Sequence, residues 1–201
     1  MKLNHDRQMR KSIAIIITSI LVLSGCNKQQ SVSDRLLNEV GKVIAINPDS
    51  ASNLLKGISS PEKLDDKTFA RWCMLSGKIT DEIFTTILPT YQLERAYDWY
   101  SSHGSPDEQV QILIYLGRSY FADGDYDKAM SIYERILDID NTDAEAYWSL
   151  LLCEYGIEYV EDPATHKRIP TVNRAQYTSV FMNENYKDAI KYADPYQKAI
   201  Y

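Results

Sequence analysis

Several absences limit what this sequence can be. Cysteine occurs three times in 201 residues, too rarely for the disulfide frameworks of small secreted domains. Eight glycines and seven prolines are too few and too scattered for an all-β protein built of many tight turns, and they exclude collagen-like and low-complexity chains. Basic charge is not in surplus: 22 Lys and Arg face 28 Asp and Glu, a net of −6. A chain without a basic face is not expected to bind nucleic acid.

Chemistry-bearing motifs are scarce as well. CxxC, HExxH, a glycine-rich phosphate loop and the acidic spacing of an EF-hand are all missing. Asp138, Asp140, Asp143 and Glu145 alternate as calcium ligands do. The glycine of the sharp turn is lacking, so they read as solvated, helix-capping residues. No metal and no cofactor is expected. After residue 26, histidine occurs only at His103 and His166, and nucleophilic catalysis needs a base oriented beside its nucleophile. His103 precedes Gly104 at a helix end, where an imidazole meets free carbonyls. His166 falls in a polar loop, so no catalytic residue is assigned.

What is present is a globular composition, 44% apolar and 25% charged, in a length that suits one domain or a modest array of small units. The N-terminus is different in kind. Lys2, Arg7, Arg10 and Lys11 precede twelve uncharged residues, Ser12 to Leu23. That stretch is shorter than the roughly 20 residues a spanning helix needs, and it matches the apolar region of a signal peptide.

The segment ends in Leu23-Ser24-Gly25-Cys26, which resembles the lipobox of bacterial lipoproteins. The resemblance implies removal of residues 1–25 as a signal peptide and attachment of a diacylglyceryl group to the Cys26 thiol. Cleavage takes away four basic residues and one acidic one, leaving 18 against 27 and a net charge of −9 over 176 residues. Such a surface repels anionic lipid, so the acyl chains are the only expected membrane contact. Asn27 and Lys28 lack the acidic character that retains some lipoproteins in the inner membrane or sends others to the cell surface. An outer-membrane, periplasm-facing place in the bacterial cell envelope is therefore expected, with residues 26–33 as a polar tether. Cys73 and Cys153 then lie in an oxidising compartment, but their spacing does not set the geometry a bridge needs.

From Ser33 onward the apolar residues recur with helical period. Leu36, Leu37, Val40, Val43 and Ile44 define a first helix, capped at Ser33 or Asp34 and stopped by Asn47-Pro48. A second starts at Asp49 or Ser50 and carries Leu54, Leu55 and Ile58. A third runs from about Asp65 through Phe69, Trp72, Cys73, Leu75 and Ile79. A fourth follows Pro89 and closes at His103-Gly104. Sustained period-two alternation is absent, and strands are not expected. All fifteen tyrosines lie from Tyr91 onward, which points to tightly stacked helices beginning near residue 90, where rings bury a face and keep a wet hydroxyl.

The clearest unit begins at Val110. Leu116-Gly117, Tyr120, Gly124, Tyr126, Ala129 and Tyr133 fall at spacings that resemble the tetratricopeptide repeat, a helix-turn-helix of about 34 residues. Gly117 and Ala129 let two antiparallel helices approach, Tyr120 and Tyr133 fill the gap between turns, and Gly124 reverses the chain. Ile136 stands where alanine is usual, and Asn141 replaces the proline that ends the second helix. A second copy begins on schedule at Ala144 with Ala146-Tyr147-Trp148 and Leu150, then departs: Leu151 takes the place of the glycine and Glu154 that of the tyrosine. Its second helix arrives late, because Tyr186-Lys-Asp-Ala-Ile190 echoes Tyr126-Asp-Lys-Ala-Met130 sixty residues on. An insertion of twenty-six residues, about 157–182, therefore separates the two helices of that repeat. Its polar core, with Pro163 and Pro170, falls where repeat proteins place binding loops.

Residues 34–138 resemble the helical-repeat lipoproteins of Bacteroides-type bacteria. Residues about 142–201 resemble a segment found behind tetratricopeptide repeats in bacterial proteins that also carry zinc-ribbon and Toll/interleukin-receptor-like domains. The pattern is still running at Tyr201 without a polar capping helix, which leaves a truncated or recombined frame open.

The expected organisation is all-α, with antiparallel hairpins stacked as a short solenoid. A signal peptide (1–25) and tether (26–33) precede degenerate helical pairs (34–104) and the repeats (105–201). The resemblance implies a non-catalytic interaction scaffold that takes a peptide or partner protein in a concave groove. In such repeats the groove is lined by positions 2, 5, 9 and 12 of each first helix. Here those are Gln111, Ile114, Arg118 and Phe121, then Glu145, Trp148, Leu152 and Tyr155. Packing against adjacent helices is an equally good account of Ile114, Trp148 and Leu152. Two other readings stay open: a sensor or regulatory fragment whose effector domain lies beyond residue 201, and a hydrolase built around His166, Arg168 and Asn173 in the insertion.

Overall fold

The computed structural model describes residues 31–83, 86–157, 159–165, 168–171 and 179–201. The expected signal peptide, Cys26 and most of the expected tether, as well as His166, Lys167 and Asn173, lie outside the described residues. Among those described, no helix is long and apolar enough to cross a membrane. The chain divides into two compact units, 1–83 and 84–201.

In the first unit, α1 (31–43) already holds residues 31–33 in helix and Ser33 is buried. Residues 31–33, expected from the sequence to end a tether, are therefore helical, and neither Ser33 nor Asp34 is the cap. Asn47 accepts from the Ser50 N–H and opens α2 (Pro48–Leu55), with Pro48 in the first turn. There its fixed φ suits the helix and its missing N–H costs nothing. A short 3₁₀ turn, Pro61–Lys63, leads to α3 (Asp66–Ile83). The Asp65 carboxylate takes the Thr68 N–H at 3.1 Å. Leu37, Val40, Ala51, Phe69, Ala70 and Cys73 form the core. Thr68 Oγ1 to Asp34 (3.2 Å, partly buried) and Arg71 to Asn38 (2.8 Å, exposed) tie α3 to α1.

The second unit is a run of helices in which each of the first four packs on the next. They are α4 (Thr90–His103), α5 (Pro106–Ala122), α6 (Tyr126–Ile139), α7 (Ala144–Tyr155) and α8 (Glu184–Tyr192), with a short α9 (Pro195–Ile200) at the end. Helix α4, grouped by sequence with the earlier pairs, packs on α5 instead. Thr90 Oγ1 reaches Ser119 Oγ (2.8 Å) and Asp123 (2.6 Å), which brings the start of α4 to the end of α5. Helix α5 begins four residues before Val110, because Ser105 and Glu108 form a reciprocal capping box around Pro106. Gly124, at φ +77°, occupies the left-handed conformation that closes α5 and turns the chain into α6. Asp125 then caps α6 through the Lys128 N–H.

Gly117 and Tyr133 explain how α5 and α6 pair. A β-carbon on Gly117 would stand 2.5 Å from Tyr133 Cε1, so the ring lies against bare backbone. Ala129, Tyr133 and Ile136 are buried along α6. The expected gap-filling therefore falls to Tyr133. Tyr120 is only half-buried and turns outward, donating its hydroxyl to Glu94 on α4. That bond pushes its phenol up to about 12.

The interrupted repeat closes as a pair despite its insertion. Helices α7 and α8 pack together; Tyr147 stacks on Tyr192 at 5.9 Å, and Asn183 donates to Glu154 at 2.9 Å. These two contacts join the start of α7 to the end of α8 and the reverse, so the helices run antiparallel. The insertion leaves α7 through Gly156, left-handed at φ +59°, and re-enters through the 3₁₀ turn Val180–Met182. Between them the structure departs from the strandless expectation. β1 (Tyr159–Glu161) and β2 (Arg168–Pro170) form an antiparallel hairpin with Val160 opposite Ile169. Three residues a side leave no room for the period-two pattern that announces a strand. Asp162 builds the turn by accepting from Ala164 N and Thr165 Oγ1. Apart from this hairpin the described chain is helical, an all-α fold of paired helices.

Candidate partner-binding face

Helices α5 and α7 are the first members of their pairs, and one contact joins them. Arg118 Nη2 donates to Glu145 Oε1 at 2.5 Å, linking position 9 of one first helix to position 2 of the next. Both side chains keep about a third of their surface in water, 36% and 27%, so the pair adds at most ~1 kcal/mol to stability. Its effect is positional: it holds a cation and a carboxylate on one face. Arg118 also lies 5.9 Å above the Tyr115 ring.

The remaining groove candidates divide by burial. Gln111, Phe121, Trp148 and Leu152 are half-buried, whereas Ile114 and Tyr155 are each only 6% exposed. In the free chain the last two are core, with Tyr155 joining Leu151 and Ile157 in one cluster. Phe121 sets its ring edge-on against Tyr126 at 5.2 Å, across the α5–α6 turn.

Trp148 has a neighbour that its spacing does not announce. Tyr201 stacks face to face on it, with centroids 4.4 Å apart and planes 11° from parallel. The chain returns there because α8 stops at Tyr192. Asp194 and Gln197 then form a second capping box, with Pro195 in the first turn of α9. Asp194-Pro195 followed by Gln197 is a legible helix start, and it was the available signal. Burial pushes the Tyr201 phenol well above its ordinary range, and the Glu145 and Asp143 carboxylates push it further while Arg118 opposes them.

The acidic cluster has ordinary occupations. Asp140 receives Thr142 N and Oγ1 at 2.9 and 2.7 Å. Asp143 caps α7 through the Ala146 N–H at 2.7 Å, and burial raises its carboxyl above the usual range. Glu145 is held by Arg118. Among the described residues no group of His, Cys, Asp or Glu is arranged to hold a metal ion. His103 sets Nδ1 2.9 Å from the Trp99 carbonyl and stacks on that indole at 4.9 Å, a helix-end role. Cys73 and Cys153 are buried and are not joined in a disulfide. Desolvation pushes the Cys153 thiol up to about 12, which holds it protonated and poorly nucleophilic.

The tetratricopeptide repeat family matches residues 110–154, which span most of α5, all of α6 and nearly all of α7. That segment is therefore similar to a tetratricopeptide repeat, a module that in its family generally mediates protein–protein interaction and typically serves as a non-enzymatic scaffold. No curated protein and no solved structure matches the chain.

Proposed function

We propose that this chain is a lipid-anchored interaction scaffold that holds a peptide segment of a partner protein against the face of α5 and α7. The Arg118–Glu145 contact carries the reading, since it draws two first-helix rows into one surface. Gln111, Phe121 and Trp148 complete it, and an aromatic beside a paired arginine is the kind of anchor that dominates binding at protein interfaces. Ile114 and Tyr155 support this face from within. The anchor rests on the sequence from Ser12 to Cys26. Confinement to a membrane surface raises the local concentration of whatever the groove holds.

Each half of the reading has its own test. Cells expressing the chain are fed labelled palmitate: the native protein takes up label and fractionates with membranes, and Cys26→Ser does neither. Equal labelling of both forms would remove the anchor. For the groove, proteins cross-linked in membranes to the native chain are compared with those of the Arg118→Ala/Trp148→Ala variant. Recovery of specific partners is expected to fall about tenfold or more, as for loss of an interface anchor. Identical recovery by a folded variant would refute the groove.

A further inference from the structure

We propose that Tyr201 is the resident occupant of this groove, and that a partner enters by presenting a neutral tyrosyl side chain in its place over Trp148. The inference rests on the groove reading above and specifies what the groove recognises.

Three observations carry it. The Trp148–Tyr201 stack is parallel and close, at 4.4 Å and 11°, the geometry of a ring seated on a platform. Trp148 is itself a groove position, so the ring covers the surface a ligand would use. The phenol is half-buried amid Glu145, Asp143, Arg118 and Asp194. Three carboxylates against one guanidinium, already paired with Glu145, accept a neutral hydroxyl donor and repel a phosphorylated ring.

The segment that delivers Tyr201 is suited to exchange. Helix α9 has six residues and buries none of them, whereas α7 beneath it buries seven of its twelve. Tyr196 and Ile200 stand 76% and 53% exposed, so apart from the Tyr201 ring little holds the helix down. An element with few buried contacts opens at low free energy. A tethered ring competes as an intramolecular ligand at an effective concentration near millimolar. A partner must therefore outcompete it, which sets a threshold on which partners bind.

The test uses the full chain in detergent with Trp72→Phe and Trp99→Phe, leaving Trp148 as the reporter, and circular dichroism to confirm the helices. Tyr201→Ala is expected to raise acrylamide quenching of Trp148 about twofold, and Tyr201→Phe to leave it near native. An amidated peptide of residues 194–201 should then restore protection to the Tyr201→Ala chain and bind it at least tenfold more tightly than it binds the Tyr201-containing chain. The same peptide phosphorylated on its last tyrosine should not bind. Equal quenching with and without the Tyr201 ring, equal peptide affinity for both chains, or tighter binding of the phosphorylated peptide would each overturn the proposal. None of these measurements needs a natural partner, so loss of the cross-linking result above would leave them interpretable, and their failure would leave that result standing.

Discussion

Gly117→Ala will lower the stability of the second unit, although alanine is the better helix former. In an unconstrained helix interior the exchange gains about 0.5–1 kcal/mol. Here the new methyl would sit 2.5 Å from Tyr133 Cε1 and 2.7 Å from Cζ. The ring is 2% exposed and cannot swing away. Overpacking a filled core costs about 1–3 kcal/mol, and so severe an overlap belongs at the upper end, for a net loss near 2 kcal/mol. Gly41 supplies the control: it lies in α1, and a β-carbon there meets nothing within 4 Å. Gly41→Ala should therefore stabilise by up to about 1 kcal/mol. Urea unfolding followed by circular dichroism reads both signs. The decisive form is a double-mutant cycle: with Tyr133→Leu in place the clash is gone, and Gly117→Ala should become neutral or favourable. A coupling of about 2 kcal/mol between the two sites is expected. If Gly117→Ala proved as favourable as Gly41→Ala, the close approach of α5 and α6 would be wrong.

That glycine illustrates why so much of the fold was legible. Period-three-and-four apolar spacing and one small-plus-aromatic pattern determine where helices lie and which faces meet, because both are consequences of backbone geometry. The pairing of α7 with α8 across twenty-six residues could be anticipated because Tyr186 to Ile190 repeats the α6 signature. Helix starts were less legible wherever the cap stands several residues before the first apolar position, as Ser105 does before Val110. The β1–β2 hairpin was not legible at all: its strands have three residues each, and a turn organised by Asp162 side-chain bonds leaves no periodic trace.

Groove positions were legible only as places on a helix. Whether such a place faces solvent or core depends on the neighbouring helix, and Ile114 and Tyr155 are buried for that reason. The Trp148–Tyr201 stack depends on α8 ending after nine residues so that the chain can double back. Tyr201 itself carries no mark that separates it from fourteen other tyrosines. Only the capping box at Asp194 hinted at a further helix, and a box says where a helix begins, not what its far end touches.

Leu151→Gly, which restores the residue type of the better-formed repeat, is expected to be among the most damaging single changes in the chain. By the spacing of Gly117, position 151 is where a small residue admits a large ring from the second helix. By the sixty-residue offset that aligns Tyr126 with Tyr186, the partner of that cleft is Ala193, not a tyrosine. Small and large have changed sides. Leu151 is fully buried and anchors the cluster of Tyr155 and Ile157, against which Trp148, Leu152, Val180 and Tyr186 pack. Removing a buried leucine side chain down to alanine costs about 2–5 kcal/mol. Glycine in a helix interior adds about 1 kcal/mol more, for a total near 3–6 kcal/mol. That is a large fraction of the ~5–15 kcal/mol holding a typical domain. Leu151→Met, which conserves volume, should cost less than about 1.5 kcal/mol. Because Val180 at the end of the insertion leans on this cluster, the glycine variant should also be cut faster by protease within 157–182, before the rest of the unit unfolds. A Leu151→Gly chain as stable as the native one would mean that the second pair packs like the first, and that the exchange of large and small residues between α7 and α8 is not what holds them together.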